Sequence, residues 1–313
     1  MLHTDLFPPE QSPVKISLLA TISALSLCSA LSFEPAVQVH REIAFLPDNR
    51  PEKADLYLPA LDSGSSPTPV LLIIHGGGWV AGRKDSPREV ALATTLAERG
   101  FAAMSINYKL GAPDGSVRCW PQNLHDCKTA VRWLRAHCKR LNVDPDNIGV
   151  IGLSSGGHLA CLTGFTQPQD GLEPQGPYED EFSDVKCVVN FYGPIDTSKH
   201  EDIGILGKTR QEAPWMYRQF SPLSHLDKSD PPVLIIHGEE DKVVEVQHAK
   251  ILSDALTRFG VEHELEIIPG AGHGFGIEAD HKKLLPKLVS FLNRHLRPPP
   301  VTVPQIQSDP FSF

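Results

Sequence analysis

A mostly parallel α/β sheet with helices on both faces is the architecture this sequence predicts. Residues 70–74, Val-Leu-Leu-Ile-Ile, form an unbroken apolar run, as expected of a strand covered on both sides. From residue 53 to residue 295, strand-like and helix-like stretches alternate, which favours parallel strands joined by crossover helices. Several of the strand-like runs end directly in glycine-rich turns that carry polar side chains.

The elements follow in order. Residues 37–46 and 53–58 alternate well enough for an opening hairpin around 47–51, with 54–59 patterned like an edge strand. A Ser/Gly/Pro linker at 62–67 precedes the apolar strand. Residues 87–99 read as a helix, with proline in its first turn and Gly100 after its end, and 101–106 as the next strand. Leu124, Cys127, Ala130, Val131, Leu134, Cys138 and Leu141 recur near the helical period, so 119–141 is expected to be one long amphipathic helix. Residues 142–147 are expected to turn back into a β-branched run that ends at 153, followed by a helix-forming segment. The Pro-, Gly- and acid-rich stretch 166–184 reads as an exposed loop, and 187–191 as a strand. Residues 197–226 are irregular apart from a short helix at 214–217, placed near the site. Strand 233–236, helix 246–259, strand 262–268 and helix 277–295 complete the pattern. No internal repeat appears, and one domain over 31–298 is the better count.

With 313 residues and 41% apolar content the chain has enough material for a large core. A net charge of -9 and no basic run argue against nucleic acid as a partner. The six cysteines (28, 119, 127, 138, 161, 187) show no Cys-x-x-Cys or Cys/His ligand spacing, so no metal or other cofactor is expected. They suit buried thiols, with room for one disulfide whose members the pattern does not choose. Residues 16–31 are apolar, rich in small residues and preceded by Lys15. The segment is short for a membrane span, and 1–30 are expected to be a signal peptide directing export to the periplasm or beyond, with no stable membrane insertion after processing. The alternative is an N-terminal helix of a cytoplasmic protein. Residues 299–313 read as a Pro-rich tail.

Four strand ends carry chemistry. At Gly152-Leu153-Ser154-Ser155-Gly156 a strand passes straight into a helix, a turn that lifts a serine hydroxyl above the sheet. The Ser155 amide then falls in the first helical turn, where free N–H groups and the helix dipole favour a developing oxyanion. His75-Gly76-Gly77-Gly78-Trp79 follows the apolar strand, with Gly77 and Gly78 able to aim unobstructed amides at the same charge and His75 better read as a loop brace than a base. His237-Gly238-Glu239-Glu240-Asp241 supplies three competing acids, any of which could orient a histidine. Gly270-Ala271-Gly272-His273-Gly274-Phe275 places a histidine on a glycine-flanked loop. Trp79, Tyr192, Trp215 and Phe275 are the candidate pocket residues, and Asp126 is assigned no role.

The order oxyanion loop, serine, acid, histidine is that of the α/β-hydrolases. Together with Ala130-Val131-Arg132-Trp133-Leu134-Arg135, Ser155-Gly156-Gly157-His158-Leu159-Ala160 and Phe191-Tyr192-Gly193-Pro194, these motifs make the chain resemble carboxylesterases of the hormone-sensitive-lipase and acetyl-xylan/feruloyl-esterase-like kind, the BD-FAE type. The resemblance runs from about residue 53 to residue 295. It implies an α/β-hydrolase fold and selects Asp241 from the three acids, because the family's acid stands three residues after the glycine. The family usually has Glu-Ser-Ala at the nucleophile, where this chain has Leu153 and Ser155 as flanking residues. It further implies a serine esterase with Ser154 as nucleophile, His273 as base and Asp241 as orienting acid, losing activity on acidification. The segment before Asp241 leaves no space for a large lid, which favours a small-molecule ester or an exposed one such as an acetyl group on a glycan. The rivals are a prolyl-oligopeptidase-like peptidase and a non-catalytic hydrolase-like binding protein.

Overall fold

The computed structural model describes residues 37–60, 64–277 and 284–297. The expected signal peptide and the Pro-rich tail lie outside the described residues.

Eight strands form one sheet: β1 (Val37–Ile43), β2 (Ala54–Pro59), β3 (Thr68–Ile74), β4 (Ala102–Ile106), β5 (Val143–Leu153), β6 (Cys187–Phe191), β7 (Val233–Gly238) and β8 (His263–Ile268). Their spatial order is β1-β2-β4-β3-β5-β6-β7-β8. β1 and β2 run antiparallel to their neighbours, and every pairing from β4 onward is parallel. The helices are α1 (Pro87–Ala97), α2 (Gln122–Ala136), α3 (Cys138–Leu141), α4 (Ser155–Phe165), α5 (Pro214–Phe220), α6 (Gln247–Phe259) and α7 (Leu284–Leu296). None of those described is long and apolar enough to cross a membrane.

The apolar run divides between two cores. Val70, Leu72 and Ile74 join a cluster with α2, α4 and α6, whereas Leu71 and Ile73 pack with α1 and α7. That is why β3 carries no polar residue after Pro69: both of its faces are roofed by helices.

The structure departs from the sequence expectations at several points. β2 is not an edge strand; β1 is, and it is largely exposed. Asp55, the polar position of the β2 alternation, is fully buried and pairs with Lys84 at 2.9 Å and Arg41 at 3.1 Å. Residues 119–121 stay outside the long helix, consistent with Pro121 disfavouring helical geometry at Trp120. His137 then breaks the helix, and left-handed Asn142 (φ 50°) ends α3. Residues 143–147 extend β5 instead of forming a turn, with Val143 opposite Thr68. The 166–184 loop is pinned to the body rather than freely exposed. Leu172 is buried, and Glu173 accepts from Lys128 and Arg132 of α2. Asp126 takes a bidentate bond from Arg50 at 3.0 and 2.7 Å, tying the 47–51 turn to α2. All five described cysteines are free thiols.

Candidate active site

β3, β5, β6, β7 and β8 run in parallel, so their carboxyl ends share one rim. Ser154 sits on that rim between β5 and α4 with φ 55° and ψ −121°, a conformation costly for any residue but glycine. It is held there by its own N–H donating to Phe191 O (2.8 Å) and by His158 N–H donating to its carbonyl (3.1 Å). The two motif glycines permit the backbone contact this turn requires. A Cβ on Gly152 would lie 1.9 Å from Gly156 O, and one on Gly156 would lie 2.1 Å from Ile74 O.

The loop after β3 is braced from below. His75 is buried, stacks on Tyr108 at 4.3 Å and donates from Nδ1 to Gly76 O at 2.7 Å. Burial pushes its pKa down to about 4, so it stays neutral and braces the loop. The Tyr108 hydroxyl donates to His75 O (3.1 Å) and lies 3.4 Å from Ser155 Oγ. Gly77 adopts φ +124°, and a Cβ there would lie 2.1 Å from Ala81 O. Gly77 O in turn accepts from the amides of Val80 and Ala81.

His273, on the loop after β8, bridges the serine and one acid. Its Nε2 is 2.9 Å from Ser154 Oγ and its Nδ1 2.7 Å from Asp241 Oδ2. Of the three candidate acids, Glu239 and Glu240 are exposed while Asp241 is buried. Asp241 Oδ1 accepts from the Val243 and Val244 amides at 2.8 and 2.9 Å. Burial alone would raise the pKa of this carboxyl, but the bonds from His273 and the two amides outweigh it, and the net shift is downward. His237 Nε2 lies 3.4 Å from Asp241 Oδ2 and donates to Val244 O at 2.8 Å, closing the acid loop on itself.

A cavity of about 480 Å³ opens over this constellation, bordered by Gly77, Gly78, Trp79, Ser154, Ser155 and His273. A larger cavity, about 680 Å³, borders Arg132, Lys186 and Asp230 where β6 and β7 begin, and none of the four strand-end motifs lines it.

Of the four expected pocket aromatics only Trp79 reaches the wall. Tyr192 is fully buried behind it, donating its hydroxyl to Phe275 O at 2.8 Å and touching the His273 ring edge-on at 4.9 Å. Phe275 packs on Tyr192 and Phe191, and Trp215 is 55% exposed on α5, outside the wall. The wall is instead completed by residues the sequence reading did not select, among them Arg88, Thr197, His200, Val244 and His248. Arg88 Nη1 donates to Gly274 O at 2.8 Å and to the Tyr192 hydroxyl at 3.3 Å, strapping the histidine loop to α1. No motif marks these residues: Arg88 and His248 open helices α1 and α6, and Thr197, His200 and Val244 lie in the loops that follow β6 and β7.

An eight-stranded, mostly parallel sheet with a serine elbow, a histidine and an acid gathered on its carboxyl rim is an α/β-hydrolase. Residues 54–256 match the BD-FAE family model, and the chain belongs to that family. Esterase LipC of Mycobacterium tuberculosis is 32% identical over 253 residues, covering 76% of this chain; the chain spans 60% of LipC's length. A truncated carbohydrate esterase from gut microbiota superposes with a TM-score of 0.73 at 27% identity, covering 82% of this chain and 96% of that one. A thermophilic esterase of the Planctomycetes species Thermogutta terrifontis gives a TM-score of 0.69 at 26% identity, covering 84% and 95%.

Proposed function

We propose that the protein is a serine carboxylesterase that hydrolyses small or exposed esters, with short acyl groups such as acetyl on a glycan as the favoured class. The observation that carries this reading is the continuous relay Ser154 Oγ, His273 Nε2, His273 Nδ1, Asp241 Oδ2, with contacts of 2.9 and 2.7 Å, at an open cavity. Esterase names among the relatives support the reaction class, and the carbohydrate esterase neighbour supports the glycan.

His273 takes the hydroxyl proton as Ser154 Oγ bonds to the ester carbonyl carbon, and Asp241 holds the imidazole in the tautomer that leaves Nε2 free to accept. The N–H groups of Gly77, Gly78 and Ser155 receive the oxyanion; one such donor is commonly worth about 3–4 kcal/mol. The ester C–O bond breaks as His273 returns the proton to the departing alkoxide, leaving Ser154 acylated. Water, deprotonated by His273, then attacks the acyl carbon; the Ser154 Oγ–acyl bond breaks as His273 returns the proton to Oγ, and the acid leaves.

Ser154→Ala removes the nucleophile without disturbing the backbone bonds that hold the elbow. Hydrolysis of p-nitrophenyl acetate is expected to fall by about 10⁴-fold or more. Retention of a tenth of wild-type activity would overturn the assignment of Ser154.

A further inference from the structure

One wall of the cavity carries polar groups that the triad and the oxyanion donors do not use. Thr197 is 1% exposed, lines the cavity, and its hydroxyl has no hydrogen-bond partner among the described residues. An unpaired buried hydroxyl costs a fold free energy, and a ligand that pairs with it recovers that cost. The residue is also firmly placed. Its N–H donates to Ser221 Oγ at 3.3 Å, and that hydroxyl donates to Ile195 O at 3.0 Å.

Beside it, the first turn of α6 brings His248 to the same wall. The amide of Ile195 donates to His248 Nδ1 at 3.1 Å, and that of Asp196 approaches the same atom at 3.5 Å. A nitrogen that accepts an N–H carries a lone pair, so in the neutral ring the proton sits on Nε2. Burial, with His200 and His237 nearby, lowers the His248 pKa, while Asp196 and Glu245 oppose that shift only in part, so the neutral ring prevails. The loop 195–197 therefore does two things at once: it sets a buried hydroxyl, unpaired among the described residues, at the cavity wall and fixes the tautomer that makes His248 a donor. A hydroxyl that both donates and accepts, beside a fixed N–H donor, matches the hydrogen-bonding pattern of an alcohol group rather than that of an alkyl chain.

We propose that Thr197 and His248 form a hydroxyl-reading subsite, which selects esters carrying a free hydroxyl near the ester bond over their deoxy analogues. This rests on the esterase reading above and adds to it the two residues that discriminate among esters. The hydroxyl belongs either to the alcohol part of a polyol ester or to a hydroxyacyl part, and two substrate pairs separate these sources. Glycerol 1-acetate against propyl acetate tests the alcohol side; ethyl lactate against ethyl propanoate tests the acyl side.

The measurement is kcat/KM for both pairs in wild type, Thr197→Val, Thr197→Ser and His248→Asn. The valine keeps the shape and deletes the hydroxyl, and the serine restores it. The asparagine keeps an acceptor for the Ile195 amide but withdraws the ring N–H. Wild type is expected to prefer the hydroxylated member of one pair, and Thr197→Val and His248→Asn each to reduce that ratio by about five- to ten-fold, the size of one hydrogen bond. Thr197→Ser returns most of it. Turnover of the plain esters with no preference in either pair, or a variant that slows both members equally, overturns the subsite and leaves the esterase reading standing. No turnover of any of the four esters by wild type sinks the esterase reading and the subsite with it.

Discussion

Replacing Asp241 by asparagine tests how the relay works, because the local hydrogen bonds constrain the outcome. Asp241 Oδ1 accepts two backbone amides, so the asparagine amide oxygen takes that place and the NH2 group is left facing His273 Nδ1, 2.7 Å away, and His237 Nε2, 3.4 Å away. His273 must then accept at Nδ1, which moves its proton to Nε2 and aims it at Ser154 Oγ. The ring can no longer act as base in that state. The wrong-tautomer penalty in serine hydrolases is about 10⁴ in kcat, or roughly 5.5 kcal/mol at the barrier. Asp241→Ala leaves the ring free to choose its tautomer and should lose less than Asp241→Asn. The assay is p-nitrophenyl acetate hydrolysis by both variants, alongside their thermal melting. If Asp241→Asn retains more than a tenth of wild-type kcat, or if the alanine variant is clearly the slower of the two, the tautomer argument is wrong. The same carboxyl carries a stability signature. Its folded pKa lies below its ordinary value, so its contribution is complete above about pH 4 and is lost as pH falls through the lower folded value. Asp241→Asn should therefore flatten the acid limb of the melting profile.

Asp230 carries the opposite sign. Burial, with Asp227 and Asp170 adding to it, raises its pKa to about 7, and its Oδ1 is buried without a partner among the described residues, so the native state loses stability as pH rises from about 4 to 7. Asp230→Asn keeps an acceptor for the Asp227 amide, 2.8 Å away, and should melt a few degrees above wild type at pH 8 with the gap closing by pH 5; a gap of equal size at both values would count against this. Tyr108→Phe removes the donor to His75 O that braces the glycine loop after β3, proposed above to hold the oxyanion, and should cost about 1–2 kcal/mol of stability and lower kcat with little change in KM. An unchanged kcat in the folded variant would show that the loop does not depend on this bond.

What was legible in the sequence had local causes. The serine turn could be read because the contacts among Ile74, Gly152 and Gly156 exclude any side chain at the two glycines, so the fold's need is written as residue identity. Strand β3 could be read because both of its faces are roofed. Spacing left three acids open, and what separates them is three-dimensional: Asp241 turns inward onto two amides, while its neighbours remain in solvent. The pocket failed for the same reason. Aromatic identity does not say where a side chain will sit: Tyr192 and Phe275 are spent on holding the histidine loop, and Trp215 lies largely in solvent. Asp55 misled similarly, since a buried carboxylate paired with Lys84 reads in sequence like the solvent side of an edge strand.

The braces explain why those aromatics matter although they do not border the cavity. Ser154 directly follows β5, an interior strand paired on both sides, and its own N–H is held by Phe191 O. His273 follows β8, an edge strand beyond which no further strand pairs among the described residues. A reactive distance of 2.9 Å between the two therefore depends on what ties the loop inward. The loop after β7 ties it through the Glu240 N–H, which donates to Ala271 O. Two side chains add ties from other elements: Tyr192, at the end of β6, donates to Phe275 O, and Arg88, in the first turn of α1, donates to Gly274 O. They also meet each other at 3.3 Å, so cutting one loosens the other. The unusual backbone of Tyr192 (φ 42°), at the position where β6 leaves the sheet, is the local strain that accompanies directing its side chain toward the histidine loop. A relay whose base lies on the sheet's border is thus kept in register from the interior, by side chains that make no contact with the cavity or, like Arg88, only edge it.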